Sequence, residues 1–167
     1  MVETMEMPQI RKVSVPEIFR FSVDYDDDPF ERMMTSAGRH LLMDSVVRRE
    51  HFPIERGKGV VKFEGRYFSW RFPMSSILAS KGIGLADYKR PWQLAKIEHL
   101  FALGTCKPEG LHGNRSVVGL GSVAIIEGKR CVPCMGGVNS IWSLSLSPLE
   151  LNWGVHTDFF AVREAVS

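Results

Sequence analysis

From Val117 to Val166 the apolar residues recur at the period of a strand rather than of a helix, and this stretch limits the fold most tightly. Trp142, Leu144 and Leu146 alternate with Ser143, Ser145 and Ser147, which describes a strand with one dry face and one wet face. Pro148 interrupts the run. Proline cannot donate to a central ladder, so the break reads as a turn or a strand crossing. Leu149, Leu151 and Trp153 resume in the opposite parity, all three inward, and Glu150, Asn152, Gly154 and His156 share the face opposite Trp153. Phe159-Phe160-Ala161-Val162 is apolar on both faces, as in a strand buried inside a sheet.

Upstream the periodicity changes. Residues 1–10 are polar and Met-rich, a loose end, and Arg11–Val15 reads as a short strand. Phe19, Phe21 and Val23 make a better one, with Arg20 and Ser22 outward. Asp24–Asp28 lacks the alternating ligands and closing Glu of an EF-hand, and Asp28 before Pro29 reads as an N-cap and first helical residue. Phe30, Met33, Met34, Ala37, Leu41, Leu42 and Val46 predict an amphipathic helix over 29–49, its methionines filling core. Gly57–Gly59 opens a strand pair with Val61 and Phe63, a turn at Glu64-Gly65, then Phe68, Trp70 and Phe72 inward. Pro73–Ser80 suits a short helix stopped by Gly82. Pro91 starts another helix, with Leu94, Ile97 and Phe101 as its buried stripe, Gly104 as its stop and 105–116 as loop. Helices followed by a strand-rich end define an α+β chain, and its 167 residues suit a single domain over 1–167.

Composition restricts the partners. A formal net charge of +2 gives no argument for nucleic acid, and no apolar run is long enough for membrane insertion. MVETMEMPQIRK holds no apolar signal core, so the expectation is a soluble product made in the cytoplasm without a signal peptide.

Several residues invite a chemical reading. Cys131-Val132-Pro133-Cys134 has redox spacing, but Met135-Gly136-Gly137 is a poor helix start where thiolate stabilisation would need one. A zinc site could recruit Cys106 and His112 beside Cys131 and Cys134, whereas three cysteines in all read first as structural thiols. Leu111-His112-Gly113-Asn114-Arg115 resembles the His-Gly signature of ADP-ribosyl transferases, and Lys81–Asp87 a later motif, but in reversed order and without a placed glutamate. His40, His51, His99, His112 and His156 pair with no nucleophile turn, and His40 and His99 read as surface or boundary residues on helices. No metal, cofactor or catalytic group is expected. By pattern alone, the serines and aromatics of the last third form an ordinary solvated sheet face.

An ordered frame adds to this: Leu120-Gly121-Ser122, Gly128, Arg130, Val132-Pro133, Leu144-x-Leu146, Trp153 and Phe159-Phe160-Ala161-Val162-Arg163. With His51-Phe52-Pro53-Ile54, Arg90-Pro91 and the helix to Leu103-Gly104, it resembles the variable proteins of diversity-generating retroelements over about residues 50–167. The chain departs from relatives at Asp158, where they commonly carry Arg. The resemblance implies a C-type-lectin-like (formylglycine-generating-enzyme-like) fold of viral or prokaryotic origin. Its two main helices would pack on small twisted antiparallel sheets, with the N- and C-terminal strands paired, Val13–Val23 against Phe159–Val162. It implies a non-enzymatic protein whose segment at about 117–164 is rewritten by a reverse transcriptase that acts on the gene rather than binding the protein. The ligand would be a protein or cell-surface molecule, met by Ser143, Ser145, Ser147, Asn152, Gly154, Val155, His156 and Thr157. Leu144, Leu146, Trp153, Phe159 and Ala161 would be the fixed scaffold, and display on a virion or cell surface would follow. The rival readings are a small transferase at His112, a thiol oxidoreductase, or a structural subunit of a viral particle.

Overall fold

A strand apolar on both faces belongs in the middle of a sheet, and Phe159–Val162 lies there. The computed structural model describes residues 17–28, 30–31, 41–106, 115–138 and 141–167, with backbone alone at 41, 42, 138, 141 and 142. In chain order the elements are β1 (Phe19–Asp24), β2 (Leu41–Met43), β3 (Val60–Phe68), β4 (Met74–Ser75), α1 (Ser76–Leu85), β5 (Gln93–Leu94) and α2 (Ile97–Cys106). They continue with β6 (Ser116–Val118), β7 (Ala124–Ile126), β8 (Lys129–Val138), β9 (Ile141–Pro148), β10 (Asn152–Trp153) and β11 (Thr157–Glu164). Among the described residues a nine-stranded sheet runs β1-β3-β11-β6-β8-β9-β2, with β5 also on β11 and β7 also on β8; β10 and β4 form a separate pair. The fold is thus mixed α+β, with one large sheet in place of small ones. Most neighbours are antiparallel, but β11–β6 and β2–β9 are parallel. β7 and β8 join through Glu127 (φ 51°) and Gly128 (φ 78°), the paired positive φ of a tight hairpin turn.

Among the described residues, α2 covers one face of the sheet and α1 the other. Phe160, Val162, Val117, Met135 and Leu144 pack with Ile97, Leu100, Phe101 and Leu103 of α2. Phe159, Ala161, Val118, Val132 and Cys134 pack on the other side with Ala79 and Ile83 of α1. Period-two alternation therefore feeds two cores at once.

Several sequence expectations are corrected. Glu64-Gly65 makes no turn, because β3 continues through it: Gly65 faces Phe19 on one side and Val162 on the other. Glycine is needed there since a Cβ would lie 2.8 Å from the Phe160 ring and 3.0 Å from Phe21. β3 also separates β1 from β11, so the strands near the two ends are neighbours of β3 and not of each other. Residues 1–15, and with them that pairing from Val13, lie outside the described residues. Asp28 does cap, its Oδ1 accepting from the amides of Phe30 (3.0 Å) and Glu31 (3.4 Å). A helix over 29–49 is overturned at its far end, where Leu41–Met43 adds as a parallel strand to β9 and Asp44 turns the chain. Residues 32–40, with Met33, Met34, Ala37 and His40, lie outside the described residues. α1 runs through Gly82 and Gly84, and Gly82 gives room to Trp70, whose ring a Cβ would meet at 2.9 Å. α2 begins six residues after Pro91, since Gln93–Leu94 pairs with β11, and it runs past Gly104 to Cys106. Phe72 is exposed, not inward. Among the described residues no helix is long and apolar enough to cross a membrane.

Candidate functional site

The ladder registers align Thr157, Ser116, Gly136 and Ser143 in one row across β11, β6, β8 and β9. Residues directly opposite point to the same face, and four strands span about 14 Å. One step inward the row is Phe159, Val118, Cys134 and Ser145, three of them in the core under α1. The outer row is thus the rim where that core ends. A Cβ added at Gly136 would meet nothing within 4 Å, so the middle of the rim is open.

The segment between β9 and β11 is mounted at this rim. Leu149 and Glu150 turn after Pro148, as the proline demands, with the Leu149 amide on the Arg130 carbonyl (2.9 Å). Asn152 and Trp153 pair with Ser75 and Met74. The Trp153 indole N–H donates to Ser76 Oγ (2.8 Å), whose own hydroxyl donates to the Leu149 carbonyl (2.6 Å). The ring stands edge-on to Phe159 at 6.1 Å and is 3% exposed. A second turn closes with the Thr157 amide on Gly154 O (3.1 Å), while Ser116 N–H holds His156 O (3.0 Å). At the far side Arg130 donates twice to Glu150 Oε1, and that hydrogen bond holds the Glu150 carboxyl below the usual carboxylate range.

Of the residues that the sequence places on the wet face, Ser143, Asn152, Gly154, Val155 and His156 are exposed. Ser145 and Ser147 are half-buried: Ser145 Oγ leans on the Cys134 carbonyl (3.5 Å) and Ser147 bonds the Cys134 thiol. Thr157 departs from expectation. It is 8% exposed, because as the first residue of a central strand it enters the core under α1. Leu151 departs the other way, 43% exposed in the turn between β9 and β10. Leu146 is half-buried against the α2 core. Sequence reasoning passed over Ser116, Gly136 and Ser76. Their roles come from register and from a contact 77 positions away, which no local pattern announces.

The thiols are placed by strand parity. Cys131 and Cys134 lie three apart on β8 and so point to opposite faces, where they cannot share one metal or one disulfide. Burial pushes the Cys134 thiol up, against the pull of hydrogen bonds with Ser147 and Ser116, so a thiolate is disfavoured. No group of three or more metal-binding side chains occurs among the described residues, and His112 lies outside them. Cys131→Ser with Cys134→Ser is expected to leave the melting curve cooperative, and elemental analysis of the wild type to find no stoichiometric zinc. One equivalent of zinc, or unfolding on chelation, would overturn the structural assignment. His99 is corrected from boundary to interior: 5% exposed, with Nδ1 accepting from the Lys96 amide (2.9 Å) and burial lowering its pKa to about 3. Asp158 takes both Arg115 Nε (2.8 Å) and Nη2 (2.5 Å) and the Ser69 hydroxyl. It thereby ties β11 to residues before β6 and after β3.

In comparison with known proteins, no family model, no curated protein and no solved structure matches this chain.

Proposed function

We propose that the protein is a non-enzymatic ligand-binding protein of a diversity-generating retroelement, its C-type-lectin-like scaffold displaying a replaceable surface at Ser143, Asn152, Gly154, Val155 and His156. The observation that carries this reading is the contrast inside five residues. Trp153 is buried and hydrogen-bonded, while a Cβ at its neighbour Gly154 meets nothing within 4 Å, and that glycine's φ is outside the left-handed region. Wholesale replacement is tolerated only where side chains point away from a core, because no cavity opens when they change. Half-buried Ser145 and Ser147 sit at the margin of this surface, and Thr157 belongs beneath it. The ligand is a protein or a cell-surface molecule, met by a patch that changes while its anchor does not.

A library randomised at Ser143, Asn152, Gly154, Val155 and His156 tests this. Most members are expected to melt within a few degrees of the parent and to yield binders against an arbitrary folded protein. A parallel library at Leu144, Trp153 and Phe159 is expected to unfold. Unfolding of the first library would sink the reading. So would a gene neighbourhood lacking both a reverse transcriptase and a near-copy of the final coding segment that differs at adenines.

A further inference from the structure

The outer side of α1 is apolar where a surface helix is ordinarily polar. Ser76, Ala79 and Ile83 are buried on the side toward the sheet. On the other side Ile77, Leu78 and Leu85 are 70%, 58% and 61% exposed. Leu78 and Leu85 stand two turns apart on one stripe, with Lys81 and Gly82 between them. Trp70, half-buried, lays its ring against Gly82, where a Cβ would meet it at 2.9 Å. Phe72, a little further along the chain, is 60% exposed. At the helix start Asn152 pairs with Ser75, the N-cap, which brings Leu151, 43% exposed, to the same end.

A single exposed leucine is ordinary, whereas a cluster of this kind marks a contact surface. At roughly 200 Å² for a large apolar side chain, the exposed parts of Phe72, Ile77, Leu78, Leu85 and Leu151 come to on the order of 600 Å². That is the top of the range for one patch on a monomer, about 300–600 Å². Homodimer interfaces are about 65% apolar, so with a polar rim such a centre makes roughly 900 Å² per copy. A stable interface needs about 800 Å² on each side. Charge points the same way. From Phe72 to Leu85 only Lys81 is charged, so the face has no field to select a charged partner. It also lacks the several cations of a helix that lies on a membrane.

We propose that this face of α1 joins two copies of the chain about a two-fold axis, the two helices antiparallel and crossing between Lys81 and Gly82. A two-fold contact must be complementary to itself, and this stripe is. Leu78 and Leu85 lie equally far from the crossing point, so Leu78 of each copy meets Leu85 of the other. Lys81 falls beside Gly82 of the other copy, its stem along the Trp70 ring that covers that glycine. Because β10 pairs with the strand that leads into α1, each copy brings its rim to the dimer. That the rims bind ligands rests on the function proposed above; the dimer does not.

The test is sedimentation velocity on the full chain between about 1 and 100 µM, where the wild type is expected to pass from monomer to dimer. Leu78→Glu with Leu85→Glu sets like charges opposite each other at both contacts, and is expected to weaken association at least about a hundredfold. Leu78→Glu with Leu85→Lys removes the same leucines but sets opposite charges there, and is expected to associate at least about tenfold more tightly than the first variant. Both positions are exposed, so both variants are expected to keep a cooperative melt. Leu78→Lys with Leu85→Lys repeats the like-charge arrangement in the other sign and decides the matter if the first variant fails to fold. A wild type still monomeric at about 100 µM, or equal association of the like-charge and opposite-charge variants, overturns the proposal. So does flotation of a monomeric wild type with phosphatidylcholine vesicles, which would make the face a membrane contact. Ligand capture by a randomised rim is measured separately and does not depend on this outcome.

Discussion

Trp153→Ala is expected to lower the unfolding free energy by about 3–5 kcal/mol, the usual loss for a large core aromatic. The ring is 3% exposed, stands edge-on to Phe159 and donates to Ser76 Oγ, so its removal leaves a cavity and takes a donor from a hydroxyl that keeps only its own bond to the Leu149 carbonyl. Chemical denaturation reads the loss as a shift in midpoint at constant slope. Trp153→Phe keeps most of the volume and drops the N–H donor, which should cost only about 1–2 kcal/mol. Alanine at Asn152 or His156, exposed on either side, should move stability by no more than about 0.5 kcal/mol. Comparable losses at 152 and 153 would mean that the segment has no division between face and anchor.

Arg163→Met is the second large effect, roughly 2–4 kcal/mol, the lower part of the range for breaking a buried pair because Arg90 still reaches Glu64. Arg163 lies across the Trp92 ring at 4.1 Å while its guanidinium bridges Glu64 and Asp87 and donates to the Arg90 carbonyl. Methionine retains some of the stacking and none of the hydrogen bonds. The pH profile separates charge from packing. The Arg163 hydrogen bond, the largest cause, holds the Glu64 carboxyl below the usual carboxylate range. A depressed folded pKa stabilises above the unfolded value of about 4.3, and that stability is lost as pH falls through the folded value. In Arg163→Met the acid limb should therefore be shallower, with less stability left to lose. A variant with the wild-type acid limb and a uniform offset would assign the residue to packing alone.

What was legible in the sequence was whatever one strand or one turn decides alone. Trp153 inward, with Asn152 and His156 outward, follows from parity; the burial of Phe159–Val162 follows from an unbroken apolar run; and the Asp28 cap follows from a carboxylate before proline. Whatever depends on a distant partner was not legible. Leu41–Met43 carries a helical period, yet the open edge of β9, a hundred positions later, recruits it as a strand. Gly65 looks like a turn glycine until Phe160 is laid over it. Of the candidate surface, the 152–156 segment could be read from its alternation. The contribution of Gly136 and Ser116 could not, since it exists only once β6, β8 and β11 are in register.

The place of β3 bears on how such a chain is made. β3 is flanked by β1 and by β11, and the Glu64–Arg163 bond across its second edge joins positions 99 apart. During synthesis β1 and β3 emerge well before β11 and can pair, but the other edge of β3 stays open until residues 157–164 have left the ribosome. Ring faces of Phe21, Phe63 and Phe68 are then on offer to any neighbouring strand. Pairings of such long range are slow to close and prone to aggregation while they wait. A polysome crowded with these nascent chains is the setting where a holdase would matter most.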